Sequence, residues 1–152
     1  MDRIAAIYNF YVQNTTITFE ELEIDAAQMA SRITAVSQAN LPWLVATEGS
    51  KLLGYAYAAP WHSRSAYRFT VESTIYLAPG SIGCGLGTTL YHALFAYLRK
   101  CGVHTVIASI ALPNAASVNL HEKFGMKKTG CFREAGYKFG RWIDVGYWQI
   151  LL

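Results

Sequence analysis

Apolar positions along this chain switch between a helical and an extended period. Ile4, Ile7, Tyr8 and Tyr11 recur at helical spacing and predict a short amphipathic helix over residues 3–13, ended by Asn14-Thr15-Thr16. Ile17-Thr18-Phe19 reads as a loop or a short extended piece. Asp25 followed by Gln28 has the form of a helix cap with a reciprocal partner. Met29, Ile33 and Val36 then mark the buried face of a second helix, about 26–38. The period next drops to two. Trp43–Thr47 and Lys51–Ala58 read as strands around Glu48-Gly49-Ser50, a hairpin signal. Beyond the polar loop Pro60-Trp61-His62-Ser63-Arg64, a third strand runs Tyr67–Leu77. It puts Phe69, Val71, Ser73, Ile75 and Leu77 on one face and Arg68, Thr70, Glu72, Thr74 and Tyr76 on the other.

Helical spacing returns in Leu86, Leu90, Leu94 and Leu98, with Ala93 and Tyr97 beside them. Arg99 and Lys100 occupy the last turn, where the helix dipole favours cations, and Gly102 suits a C-cap. His104–Ile110 is a β-branched strand. Asn114 suits the N-cap of a helix from about 115 to 124, which Gly125 ends. Two closing strands, about 127–134 and 142–151, flank the Gly136–Arg141 region. Helices interleaved with strands predict a mixed α/β class, an α+β mixed sheet. With 152 residues and no repeat, linker or low-complexity segment, the expectation is one domain over 1–152.

Composition narrows the function classes. Hydrophobic content of 53% against 15% charged residues describes a folded, not a disordered, chain. A net charge of +3, with no basic run longer than two residues, gives no footprint for nucleic acid. The most apolar stretch, Leu52 to Trp61, is about half a membrane span and contains Gly54 and Pro60. The N-terminus MDRIAAIYNFYV lacks the features of a signal peptide. Cys84, Cys101 and Cys131 are odd in number and widely spaced, which argues against disulfides or structural zinc and reads as packing or incidental. These features predict a soluble, cytoplasmic protein with no metal and no membrane partner.

One stretch concentrates the chemistry, Val71–Leu90. A strand carrying Glu72 leads into the turn Ala78-Pro79-Gly80-Ser81 and then a loop, Gly83-Cys84-Gly85-Leu86-Gly87, that opens directly into a helix. Backbone N–H groups at a helix start have no intrahelical partner and make a place for an anion. The G-x-G-x-G spacing is not the dinucleotide-binding G-x-G-x-x-G, and no Gly-Lys-Ser/Thr follows. A phosphate cradle beside a lone carboxylate suggests a phosphate-bearing cofactor next to a proton acceptor. The plain alternatives are a tight strand-to-helix connection and a Glu72 paired with Arg68.

The loop and its flanks resemble the pyrophosphate-binding motif of the GCN5-related N-acetyltransferases (GNAT), and more narrowly the phosphinothricin N-acetyltransferase-like subgroup. The stretches that carry this are PWLVA (42–46), YAYAAPW (55–61), TVESTIYL (70–77), GLGTTLYHAL (85–94), LPNAASVNLHEKFGM (112–126) and REAGYKFGRWIDVGYWQ (133–149). The resemblance implies a GNAT acyl-CoA N-acyltransferase fold whose central parallel strands part to admit acetyl-CoA. It implies acetyl transfer to the α-amine of a small amino acid or analogue, by direct attack. Glu72 would be the general base, because an ammonium must lose a proton before it attacks a thioester. Backbone amides would polarise the thioester carbonyl. His121 would be the acid or proton relay at sulfur, with Tyr91 as its hydrogen-bond partner; the ordinary readings are a structural His and a packed Tyr. Cofactor contacts would come from Ile75, Tyr76 and Leu77 through their backbones, from Gly83, Cys84, Gly85, Leu86, Gly87 and Thr88, and from Asn114 and Ser117. Phe19, His62, Arg64 and Tyr67 would line the acceptor site, with Arg64 gripping a carboxylate or phosphinate. A homodimer through the aromatic C-terminal strands is also implied.

Two departures accompany the resemblance. The family loop carries basic residues where this chain has Ile82 and Cys84, so diphosphate charge must be met by amides, the helix end, or a group elsewhere. The family also places a strand ahead of its first helix, where this sequence has only Met1-Asp2-Arg3, leaving a sheet edge unpaired. A non-catalytic acyl-CoA sensor and a protein or peptide acetyltransferase are the competing readings.

Overall fold

The computed structural model describes residues 1–152. Six strands form one sheet in the order β1-β2-β3-β4-β6-β5. The elements, in chain order, are α1 (Asp2–Asn14), α2 (Ala26–Gln38), β1 (Trp43–Glu48), β2 (Lys51–Pro60), β3 (Thr70–Leu77), α3 (Leu86–Lys100), β4 (Thr105–Leu112), α4 (Ala115–Lys123), β5 (Lys127–Lys138) and β6 (Arg141–Leu151). Helix α1 is the first element, and β1 forms one edge of the sheet. The capping box at α2 forms as the sequence predicts: Gln28 N–H donates to Asp25 Oδ1 at 2.7 Å, and Asp25 N–H donates to Gln28 Oε1 at 2.9 Å.

The only parallel contact is between β3 and β4, and it is short. Thr70 pairs with Thr105, Val71 with Val106 and Glu72 with Ile107, and there the ladder stops. Beyond Glu72, β3 keeps its register with β2 as far as Leu77 opposite Gly54. Meanwhile β4 keeps its register with β6 as far as Leu112 opposite Asp144. Each strand follows its own antiparallel partner, so the sheet parts into two halves. The expected split between the central parallel strands is present.

Both faces of the β2–β3 half are covered. Leu90, Tyr91, Leu94, Phe95 and Leu98 of α3 pack on Ala56, Ala58, Val71, Val106 and Ala108. On the opposite face, α1 and α2 bring Tyr8, Val12 and Met29 together, while Ile7 and Tyr11 pack against Tyr55, with Tyr76 beside both groups. The predicted alternation of β3 therefore holds, with Val71, Ile75 and Leu77 toward α3 and Tyr76 toward α1.

Three local expectations are corrected. Tyr67 does not begin β3; Tyr67 and Arg68 donate to the carbonyls of Arg64 and Ser65 in a single 3-10 turn, so the strand starts at Thr70. Strand β5 does not stop near 134 but runs to Lys138. Between the pairs Phe132–Val145 and Gly136–Ile143, β5 uses two more residues than β6, a bulge in which Glu134 takes φ 52° and donates its N–H to Asp144 Oδ1 at 2.8 Å. Finally, all three cysteines are exposed and unpaired, which removes packing and leaves the incidental reading of the two.

Candidate active site

Where β3 and β4 diverge, a cavity of about 280 Å³ opens. Glu72–Tyr76 supply one wall, Ser109–Ala111 another, and Asn114, Ser117 and His121 of the α4 segment a third. Tyr91 reaches it from α3 and Ile17-Thr18-Phe19 from the connection between α1 and α2. An adjoining apolar groove of about 160 Å³ shares Ile17, Ile75, Tyr76, Asn114 and Ser117 with it and continues to Leu77 and Ile82, at the glycine loop. Glu72 thus lines one of two adjoining cavities, and the other reaches Ile82, where the glycine loop begins. Arg68, the alternative partner for Glu72, instead places its guanidinium 4.5 Å from the Phe69 ring centroid. The sole ion pair in the molecule is Arg32–Glu20.

The cradle has the conformation that its glycines allow. Gly83 (φ 85°) and Gly85 (φ 82°) are left-handed, and a Cβ at either would meet nothing within 4 Å. Their role is conformational. Gly87 differs: a Cβ there would lie 3.3 Å from Leu120 and 3.6 Å from Ile75, so its bareness lets α3 start close against α4 and β3. Gly85 caps α3 without a side-chain bond, and the first intrahelical backbone bond runs from Thr89 N–H to Gly85. Leu86, Gly87 and Thr88 therefore keep free N–H groups. Cys84 turns its thiol inward onto the Ser81 carbonyl at 2.9 Å. A cation missed by the sequence reading stands here: Lys123, in the last turn of α4, donates to Thr88 Oγ1 at 3.3 Å. Its only sequence signal is a basic residue in the last turn of the helix that Asn114 caps, which does not tell that α3 lies alongside.

The expected backbone contacts are sorted by the β2–β3 ladder. Ala78 N–H donates to Leu53, so the hydrogen-bonded pairs alternate through Tyr76–Tyr55 and Thr74–Tyr57. Tyr76 thus spends its backbone groups on β2, contrary to expectation, and contributes only its ring. Ile75 and Leu77 turn theirs toward the gap. The Leu77 carbonyl there is already taken by the Tyr11 hydroxyl at 2.6 Å.

His121 and Tyr91 are joined. His121 is 3% exposed, and its Nδ1 lies 2.7 Å from the Ser117 carbonyl, which can only accept. Nδ1 therefore carries the ring proton, and Nε2 accepts from the Tyr91 hydroxyl at 2.8 Å. Ser73 Oγ, 3.4 Å away, is the hydroxyl's other neighbour. Burial lowers the His121 pKa, opposed by the Ser117 bond, and raises that of Tyr91, with the nearby Glu72 charge adding to the rise. The pair is neutral. Asn114 caps α4, its Oδ1 accepting from Ser117 N–H at 3.1 Å, while still lining both cavities.

Of the four expected acceptor residues, only Phe19 reaches the Glu72 cavity. His62, Arg64 and Tyr67 line a separate depression of about 270 Å³, with the His62 and Tyr67 rings edge-to-face at 5.0 Å. His62 also joins Trp61, Phe132 and Tyr147 around a groove that includes Ile107, the register partner of Glu72. The two regions are therefore neighbours on one sheet face, not one pocket.

The acetyl-CoA fit can be tested on these features: a parted sheet with unpaired backbone groups, an apolar channel, and a glycine loop with free amides suit the acyl end, the arm and the diphosphate in turn. A model of the acetyltransferase (GNAT) domain matches residues 1–146. The phosphinothricin N-acetyltransferase of Alcaligenes faecalis is 44% identical over 143 residues, covering 93% of this chain and 73% of that protein. The L-methionine sulfoximine/L-methionine sulfone acetyltransferase of Pseudomonas paraeruginosa is 37% identical over 98% of this chain and 87% of its own. The Sinorhizobium meliloti phosphinothricin acetyltransferase, solved with acetyl-CoA, superposes with a TM-score of 0.95 at 36% identity, covering 98% of this chain and 81% of that one. With the matched domain spanning nearly its whole length, this chain belongs to the GNAT family and is an acetyl-CoA-dependent N-acetyltransferase.

Proposed function

We propose that the acceptor is the α-amine of a small amino acid or analogue, of the phosphinothricin, methionine sulfone or methionine sulfoximine type. The observation that carries this reading is the position of Glu72, the last residue of β3 paired with β4 before the sheet parts, in a cavity that Phe19 also lines. Relatives named for those analogues support the acceptor class. Acetyl-CoA supplies the acetyl group as a thioester. Leu86, Gly87 and Thr88 N–H groups and the Lys123 ammonium hold its diphosphate, and Ile75 backbone groups meet the arm. Glu72 takes the proton of the acceptor ammonium, leaving a nitrogen lone pair beside the gap. As the new C–N bond replaces the C–S bond, Tyr91 would turn its hydroxyl from His121, give its proton to the departing sulfur and recover the second proton of the former amine. Because the imidazole is neutral with its proton on Nδ1, it acts as the acceptor that aims the Tyr91 hydroxyl.

The chain works as one catalytic domain and as a homodimer, with exposed Phe132, Tyr137, Phe139 and Trp142 of the β5–β6 hairpin as the contact. No helix is long and apolar enough to cross a membrane, and three free thiols support a cytoplasmic setting. Screening amino acids, the three analogues and short peptides with acetyl-CoA and a free-thiol readout tests the acceptor class. Release with the analogues is expected; release with a peptide alone contradicts it.

A further inference from the structure

The Ile17–Phe19 wall of the Glu72 cavity belongs to an irregular connection, yet side chains from distant elements fix it in place. The Tyr8 hydroxyl shares a hydrogen bond with Thr18 Oγ1 at 2.7 Å. From β5, Lys138 donates its ammonium to the Thr18 carbonyl at 2.8 Å, across 120 residues of sequence. Lys138 is 1% exposed and forms no ion pair; the Phe139 ring, 5.0 Å from Nζ, is its other support. No carboxylate touches the ammonium, and Glu21 and Glu20 act on it only through space against the cost of its burial, so its direct bond to Thr18 is positional. Two residues earlier, the Phe19 ring lies directly on the bare Cα of Gly136. A Cβ there would fall 2.3 Å from two ring carbons and 2.8 Å from a third. The bulge held by Asp144 sets the phase of β5 so that Gly136 meets Ile143.

We propose that Gly136 and Lys138 are specificity-determining positions: they lock Phe19 and Thr18 as the acceptor wall and so fix the size of acceptor that fits beside Glu72. This rests on the reading that a small amine enters that cavity. Neither residue touches the reacting atoms; both act through Phe19 and Thr18.

The test compares wild type with Gly136→Ala, Lys138→Met, Phe19→Ala and the double variant Phe19→Ala/Gly136→Ala. In the single Gly136→Ala variant the acceptor KM should rise about tenfold while the acetyl-CoA KM moves less than about twofold. In the Phe19→Ala background the same substitution should do little, because the ring it displaces is gone. Lys138→Met should raise the acceptor KM with kcat nearly unchanged. Equal losses from Gly136→Ala in both backgrounds, or equal shifts in both KM values, would overturn the proposal. Hydrogen exchange gives a readout that needs no turnover: amides of the 17–20 segment should exchange faster in Gly136→Ala and Lys138→Met. Unchanged exchange in both overturns the clamp even if the wild type acetylates small amines. Faster exchange in a protein that acetylates none of them leaves the clamp standing and removes the acceptor reading.

Discussion

A buried histidine with both nitrogens occupied has a narrow range of chemistry. Burial holds His121 below its ordinary 6.5, so the native protein keeps it neutral while the unfolded chain takes up a proton as pH falls. Its contribution to stability is complete above about pH 6.5 and is lost as pH drops from there toward the lower folded value. His121→Gln keeps an acceptor for Tyr91 and removes the titration. Urea unfolding between about pH 7 and about pH 5 should therefore cost the wild type more stability than the variant. Parallel losses would mean that the imidazole titrates as it does in water. Lys123 is the cation beside Thr88 at the start of α3. Removing its ammonium with Lys123→Met should weaken acetyl-CoA binding by about tenfold and flatten its salt dependence. An unchanged dissociation constant and salt slope would leave the diphosphate to the amides alone.

Among the elements, α3 joins the core to the cradle. Leu94 and Leu98 are fully buried against the sheet, while the first turn of the same helix presents free N–H groups. Leu94→Ala should cost about 2–5 kcal/mol by denaturant unfolding, a cavity cost. A loss well under that range would mean the helix repacks. Such elements were legible because their period is local: Leu86, Leu90, Leu94 and Leu98 announce a helix, and the glycines ahead of it announce a special loop. Glu72 was legible as an acid near that loop. What escaped depends on where strands pair. Strand β5 is expected to end at about 134, whereas it continues past Gly136, whose bare Cα is space for the Phe19 ring from 117 residues earlier. Tyr76 looked like a backbone donor until the β2 register consumed its groups. Lys123 could be placed at the cradle only after α3 and α4 were side by side.

At the scale of the whole molecule, two half-sheets share three residue pairs, and the reaction is proposed to take place where they separate. The β5–β6 hairpin leaves Trp142 61% and Phe132 64% exposed, which is costly for a monomer. Light scattering after size exclusion should find a dimer for the wild type and a monomer for Trp142→Glu; a wild-type monomer would assign those rings another use. The acid at the parting of the sheet is proposed to unmask the acceptor nitrogen without holding the cofactor. Glu72→Gln tests it most directly, with turnover and calorimetry measured on the same preparation. Turnover at neutral pH should fall by about 10²–10⁴ while acetyl-CoA binds as in the wild type. Undiminished turnover, or loss of acetyl-CoA binding in the folded variant, would contradict it.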